Sequence, residues 1–138
     1  MNQKEKIEKI KEFRLIDDVF FEVFASDIPA CQEILRTILE DEKLIVNDVI
    51  VQSSERNIYG RSVRLDALCT LGDGSLCNIE IQRSDNDNHL KRARFNAASI
   101  TVKESEPGIN FENVKDVYIV YISEKDFFKA GLTTYHID

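Results

Sequence analysis

The sequence lacks any apolar run that approaches the ~20 residues of a membrane-spanning helix. Its N-terminal segment, residues 1–12, alternates Lys and Glu and contains no hydrophobic core of a secretory signal. We therefore expect a cytoplasmic protein that does not associate with membranes.

Cysteine is scarce, and the three cysteines show no C-x-x-C spacing. Cys69 and Cys77 fall on the apolar face of a predicted hairpin, and Cys31 falls on the apolar side of a predicted helix. This placement is typical of reduced thiols in a core and disfavours a zinc site.

Positive charge is in deficit, because 18 Lys and Arg stand against 25 Asp and Glu, a net charge of −7. This balance argues against a simple nucleic-acid coat protein. Residues 60–104 differ, since they carry seven basic and six acidic side chains. A divalent cation bound to two of those acids would make the segment clearly positive. A phosphate-facing surface explains these charges, and an ordinary solvated face explains them nearly as well.

The 138 residues suffice for one domain with its own core, and no repeat, linker or low-complexity segment interrupts them. We predict a charged helical lead-in over 1–12 and a single domain over 13–138. Periodicity predicts helix, helix, strand, hairpin, helix, strand, at about 15–24, 28–40, 44–52, 63–82, 89–103 and 114–123. The last of these is the most apolar and predicts a buried central strand. No helix is predicted after this strand, and we therefore expect a domain that lacks its C-terminal part.

The predicted hairpin around residues 72–74 carries the most functional information. A three-residue loop there sets Asp66 opposite Glu80 and Arg64 opposite Gln82, while the apolar neighbours share the other face. Two like charges placed opposite each other cost roughly 0.2–1 kcal/mol. A divalent cation such as Mg²⁺ would offset this cost, because hard cations take carboxylate oxygens. Screening of both acids by Arg64 on an ordinary outer face is the alternative.

Two further side chains have more than one interpretation. Asp17 precedes Phe20 and Phe24 at helical spacing, so a carboxylate stands at the edge of an aromatic stripe, and a helix-capping role and a ligand role are equally supported. His89 falls in the first turn of its predicted helix, where we expect a surface residue rather than a ligand or base.

Four segments of the chain resemble, in this order, motifs of the PD-(D/E)XK nuclease family transposases, which are related to recombination-promoting nucleases. They are Leu15–Phe24, Arg61–Asp66, Asn78–Gln82 and Arg92–Phe95. The resemblance extends over nearly the whole chain. It implies an α/β fold with a restriction-endonuclease-like PD-(D/E)XK core, in which helices flank a mixed four-stranded sheet in the order α-β-β-β-α-β.

The resemblance also implies a metal-dependent DNA endonuclease. Asp66 and Glu80 would ligate Mg²⁺, with Mn²⁺ as a substitute, and the carbonyl of Ile81 would be a further ligand. Gln82 stands where the superfamily usually has a lysine, and Asp17 would be the acid of the first helix, with Glu22 as its substitute. Gln82 can orient a water but cannot act as a base, so a second metal-bound water and Asp17 both stay open as the general base.

DNA is the implied partner, and a homodimer stays open. Arg64, Arg92 and Arg94 are the implied DNA contacts. Two other functions are compatible with the same residues. One is an inactive nuclease-fold module for interaction with nucleic acid or protein, and the other is a metal-dependent hydrolase of a different phosphate ester.

Overall fold

The computed structural model describes residues 2–5, 8, 25–54, 64–82, 89–123, 125–126 and 128–137, without the side chains of 52–54, 64–65 and 82. Its elements are helix α1 (Ile28–Ile38), strands β1 (Val46–Ser54), β2 (Arg64–Leu71) and β3 (Leu76–Gln82), helix α2 (His89–Lys103), a 3₁₀ turn (Phe111–Asn113) and strand β4 (Val117–Ser123). This order agrees with the sequence prediction from its second helix onward. The first predicted helix, with Asp17, lies outside the described residues.

The strands form a mixed four-stranded sheet in the order β1-β2-β3-β4. β1, β2 and β3 pair antiparallel, whereas β3 and β4 pair parallel. Helix α2 supplies the crossover that two parallel strands require. The α/β class and the mixed four-stranded sheet therefore agree with the prediction.

The prediction of a buried central strand near residues 114–123 is wrong. In the sheet formed by the described residues, β4 lies at the edge and pairs with β3. Val120 is the one buried residue of β4, and Tyr118 is 44% exposed. β4 is apolar on both faces because one face borders the core and the other borders α2, and each face is only partly covered.

Helix α1 covers one face of the sheet. Asp27 begins this helix as its N-cap, since its Oδ1 accepts a hydrogen bond from the backbone N–H of Ala30. Cys31 and Leu35, four residues apart, are fully buried against the sheet. The core beneath α1 includes these residues and Ala25, Leu44, Val46, Ala67, Cys69, Leu71, Cys77, Ile79, Ile81 and Val120.

The loop between β2 and β3 fixes the register of the hairpin. The N–H of Leu71 donates to the carbonyl of Ser75 at 2.9 Å, and the N–H of Gly74 donates to the carbonyl of Leu71 at 3.0 Å. Gly74 has φ +88°, a conformation that glycine adopts without strain. Asp73 accepts hydrogen bonds from the hydroxyl and the N–H of Ser75, which lower the pKa of this carboxyl.

Candidate metal centre

Asp66 and Glu80 are register partners on β2 and β3, as the sequence predicts. Leu71 forms a hydrogen-bonded pair with Ser75 next to the loop, and such pairs alternate along an antiparallel ladder. Counting outward from the loop places Asp66 and Glu80 at a non-hydrogen-bonded pair, where Cα atoms approach to about 4.5 Å. The ladder between the two strands ends at Leu65 and Ile81. The Cα atoms of Asp66 and Glu80 are therefore expected at the closest spacing that paired residues of an antiparallel ladder adopt.

The carboxylate of Glu80 is buried, with 2% of the residue exposed. Its Oε1 accepts one hydrogen bond from Asn78 Nδ2 at 2.8 Å and another from Asn96 Nδ2 at 2.7 Å. Both asparagines are buried as well, and Oε2 of Glu80 is buried beside Oε1. Two neutral amides thus hold one oxygen of a buried carboxylate in a fixed orientation.

The two amides reach Glu80 from different elements. Asn78 lies two residues before Glu80 on β3, so both side chains project from the same face of the strand. Asn96 lies on α2, which packs across that face of the sheet. The carboxylate is therefore held jointly by its own strand and by the crossover helix.

The start of α2 is fixed by a second polar contact. His89 Nδ1 lies 2.7 Å from the hydroxyl of Tyr121, and the two rings meet edge to face with centroids 5.4 Å apart. Tyr121 is in turn the register partner of Glu80 on β4. The expectation of a surface position for His89 is wrong, because the residue is 7% exposed. His89 and Asn96 are seven residues apart and therefore share the side of α2 that faces the sheet.

The two arginines predicted on this helix do not lie together. Arg92 is half-buried and precedes Asn96 by about one helical turn, whereas Arg94 is exposed. Two residues of helix turn the chain by about 200°, so Arg94 projects nearly opposite Asn96. The structure brings Arg92 to the flank of the Glu80 side of the helix and does not bring Arg94 there.

The remaining predicted site residues are described only in part. Arg64 begins β2 and Gln82 ends β3, and the side chains of both lie outside the described atoms. The paired register stops one residue short of each, so it does not include the predicted pairing of Arg64 with Gln82. The side chain of Ile81 is buried in the core, so only its backbone carbonyl could serve as a ligand. Asp17 lies outside the described residues.

The donor set fits a hard divalent cation. Mg²⁺ is commonly held by one or two carboxylates and completes its shell with water and substrate phosphate. Asp66 and Glu80 supply such a pair. Within the described ranges, His, Cys, Asp and Glu form no group of three or more that could hold a metal. A cation here would accordingly depend on this pair, backbone oxygen and solvent.

Comparison with known protein families identifies the chain. A family model described as PD-(D/E)XK nuclease family transposase matches residues 14–138. The chain belongs to this family. The match confirms the resemblance and the fold class inferred from sequence. A search of curated proteins found no match, and a search of solved structures found none either.

Two features of the site in this member of the family were not predicted from the sequence. Asn96 interrupts the otherwise small and apolar side of α2 formed with Ala93, Ala97 and Ile100, and this polar interruption is the signal that could have drawn attention to it. The contact between His89 and Tyr121 has no comparable signal, because it depends on where α2 crosses β4. None of the helices in the described portion is long and apolar enough to span a bilayer.

Proposed function

We propose that this PD-(D/E)XK family member is a metal-dependent DNA endonuclease whose metal is held by Asp66 and Glu80. The observation that carries the proposal is the direct pairing of these two carboxylates, one of them buried, on adjacent strands. Two like charges at this spacing destabilise the hairpin unless a cation lies near them. The family match supports phosphodiester chemistry on DNA as the use of that cation.

Each residue of the proposed site has a specific part in hydrolysis. A bound Mg²⁺ would stabilise charge on the phosphate and make its bound water more acidic. Asp66 and Glu80 would hold the cation, and the carbonyl of Ile81 would add an oxygen ligand. Gln82 would orient the attacking water through its amide, while Asp17 is the proposed third acid and a candidate base.

The proposed DNA contacts divide by position. Arg64 at the start of β2 and Arg92 on the flank of α2 would face the strand that is cut. Arg94 projects from the other side of α2 and would reach DNA only away from the carboxylates. Charge-assisted contacts of arginine with phosphate supply binding without base specificity.

Cleavage of supercoiled plasmid by the purified chain tests this proposal. We expect nicking that requires Mg²⁺ or Mn²⁺ and that falls by more than about 100-fold in Asp66→Asn and Glu80→Gln, beyond the range typical for a residue outside the ligand shell. Glu112→Gln is a matched control, because Glu112 is an exposed carboxylate in the 3₁₀ turn. Parental cleavage rates in both site variants after stringent purification would show that the assignment is wrong.

An inactive nuclease-fold module is the second candidate, and it is favoured by Gln82 in the place of the superfamily's lysine. Calorimetry separates the two candidates. An inactive module predicts no heat of Mn²⁺ binding with or without DNA, whereas the endonuclease predicts binding that is lost in Glu80→Gln.

A further inference from the structure

Asn96 ties the crossover helix to the proposed metal ligand, although the proposed chemistry makes no use of it. We propose that Asn96 and Asn78 are positioning residues that determine which oxygen of Glu80 receives the cation. This inference rests on the proposed function, since it concerns the same carboxylate pair.

The hydrogen bonds identify the oxygen. Both amide donors go to Oε1, at 2.8 Å and 2.7 Å. A carboxylate oxygen has about two lone-pair sites, so these donors occupy those of Oε1. The positive ends of two N–H dipoles also repel a cation from that oxygen. A metal would therefore bind Glu80 through Oε2 alone, in a monodentate mode.

The choice of asparagine at position 96 suits this role. A lysine or arginine there would also donate to Oε1, but its charge would repel the cation. An aspartate would present an acceptor and push the carboxylate of Glu80 away. The amide donates a hydrogen bond without adding charge, and its short side chain has few conformations to lose.

The docking of α2 keeps the amide in place. His89 is joined to Tyr121, the neighbour of Glu80 on β4, and Asn96 lies two turns later on the same side of the helix. The contact between His89 and Tyr121 therefore holds α2 to the sheet two turns before the residue that delivers the amide. Residues outside a metal's ligand shell that orient its ligands typically contribute 10–100-fold to metal affinity.

Mn²⁺ affinity measured by calorimetry in the absence of DNA tests the inference. Asn96→Leu removes the donor and keeps the branching and number of heavy atoms of the side chain, and Ser99→Ala is the control on an exposed position of the same helix. We expect Asn96→Leu to bind Mn²⁺ about 10–100-fold more weakly than the parent, and Ser99→Ala to match the parent. The Mg²⁺ concentration for half-maximal cleavage should rise by the same factor, while the rate at saturating Mg²⁺ recovers. A purely structural role would lower the melting temperature in EDTA and leave the affinity of the folded protein unchanged.

Asn78→Leu provides the second arm, because it removes the other donor from β3 without touching the helix. Parental Mn²⁺ affinity in folded Asn96→Leu, or in folded Asn78→Leu if Asn96→Leu does not fold, would overturn the positioning role and leave the endonuclease intact. Absence of Mn²⁺ binding by the parent itself would instead overturn the proposed function, and this inference with it.

Discussion

Replacement of Glu80 by Gln tests the metal centre through the free energy of unfolding. Without metal, the stabilising and destabilising effects of this substitution on the free energy of unfolding nearly cancel. Each hydrogen bond to a charged acceptor is worth about 1.5–3 kcal/mol and each one to a neutral acceptor about 0.5–1.5 kcal/mol, so the two amides stabilise Gln less. Against this, Gln removes the repulsion from Asp66 and the cost of burying a charge, which is several kcal/mol. We expect Glu80→Gln to lie within about 1 kcal/mol of the parent in EDTA.

Magnesium should separate the two proteins. At a Mg²⁺ concentration 100 times its dissociation constant, the parent gains about 2.7 kcal/mol. A variant that binds 100-fold more weakly gains about 0.4 kcal/mol at that concentration, which leaves a difference of about 2.3 kcal/mol. The changes in hydrogen bonding, charge repulsion and burial that the substitution causes are the same in EDTA and in Mg²⁺. They therefore cancel when the gain from Mg²⁺ is compared between the two proteins.

Urea unfolding followed by circular dichroism, in EDTA and in Mg²⁺, measures both quantities. Glu112→Gln should gain as much from Mg²⁺ as the parent does, since Glu112 is an exposed carboxylate outside the site. If Glu80→Gln gains the parental amount, Glu80 does not ligate the metal and the reasoning is refuted.

Three further predictions concern the surroundings of the site. Arg92→Ala should weaken DNA binding more than Arg94→Ala, because only Arg92 flanks the Glu80 side of α2; fluorescence anisotropy measures this, and an equal or reversed effect contradicts it. Tyr121→Phe should destabilise the fold by about 1–3 kcal/mol in urea, since it removes the hydroxyl that meets buried His89, and a loss under about 0.5 kcal/mol would discount that contact. Burial raises the pKa of the Cys77 thiol from 9.0 to about 12. The contribution of the protonated thiol to the free energy of unfolding is therefore complete below pH 9 and is lost as the pH rises to 12. Mass spectrometry should find Cys77 unalkylated by iodoacetamide in the native protein at pH 9 and alkylated in urea; rapid native labelling would contradict its burial.

The hairpin and helix α2 could be predicted because their signals are local. The glycines at 72 and 74 define the loop, and the alternation of polar and apolar residues then allows one register, which pairs Asp66 with Glu80. The bounds of α2, His89–Lys103, agree with those inferred from the sequence. Both results rest on interactions between residues that are close along the chain.

The parts of the site that could not be predicted depend on how distant elements meet. Asn96 reaches Glu80 because α2 crosses the sheet at a particular place, which periodicity along the helix does not define. The burial of His89 has the same origin. The edge position of β4 was not predicted because an apolar run indicates that a strand is covered on its faces, but does not indicate how many neighbouring strands it pairs with.

The parallel pairing of β3 with β4 has a consequence for the order in which the protein assembles. The β2–β3 hairpin closes a short loop and can pair its carboxylates early, whereas β4 joins only after the whole crossover has been threaded back across the sheet. The amide of Asn96 arrives with that crossover. We therefore expect a nascent chain to pair Asp66 with Glu80 well before it can hold Glu80 in its final orientation, so that competence to bind metal tightly marks the completion of folding.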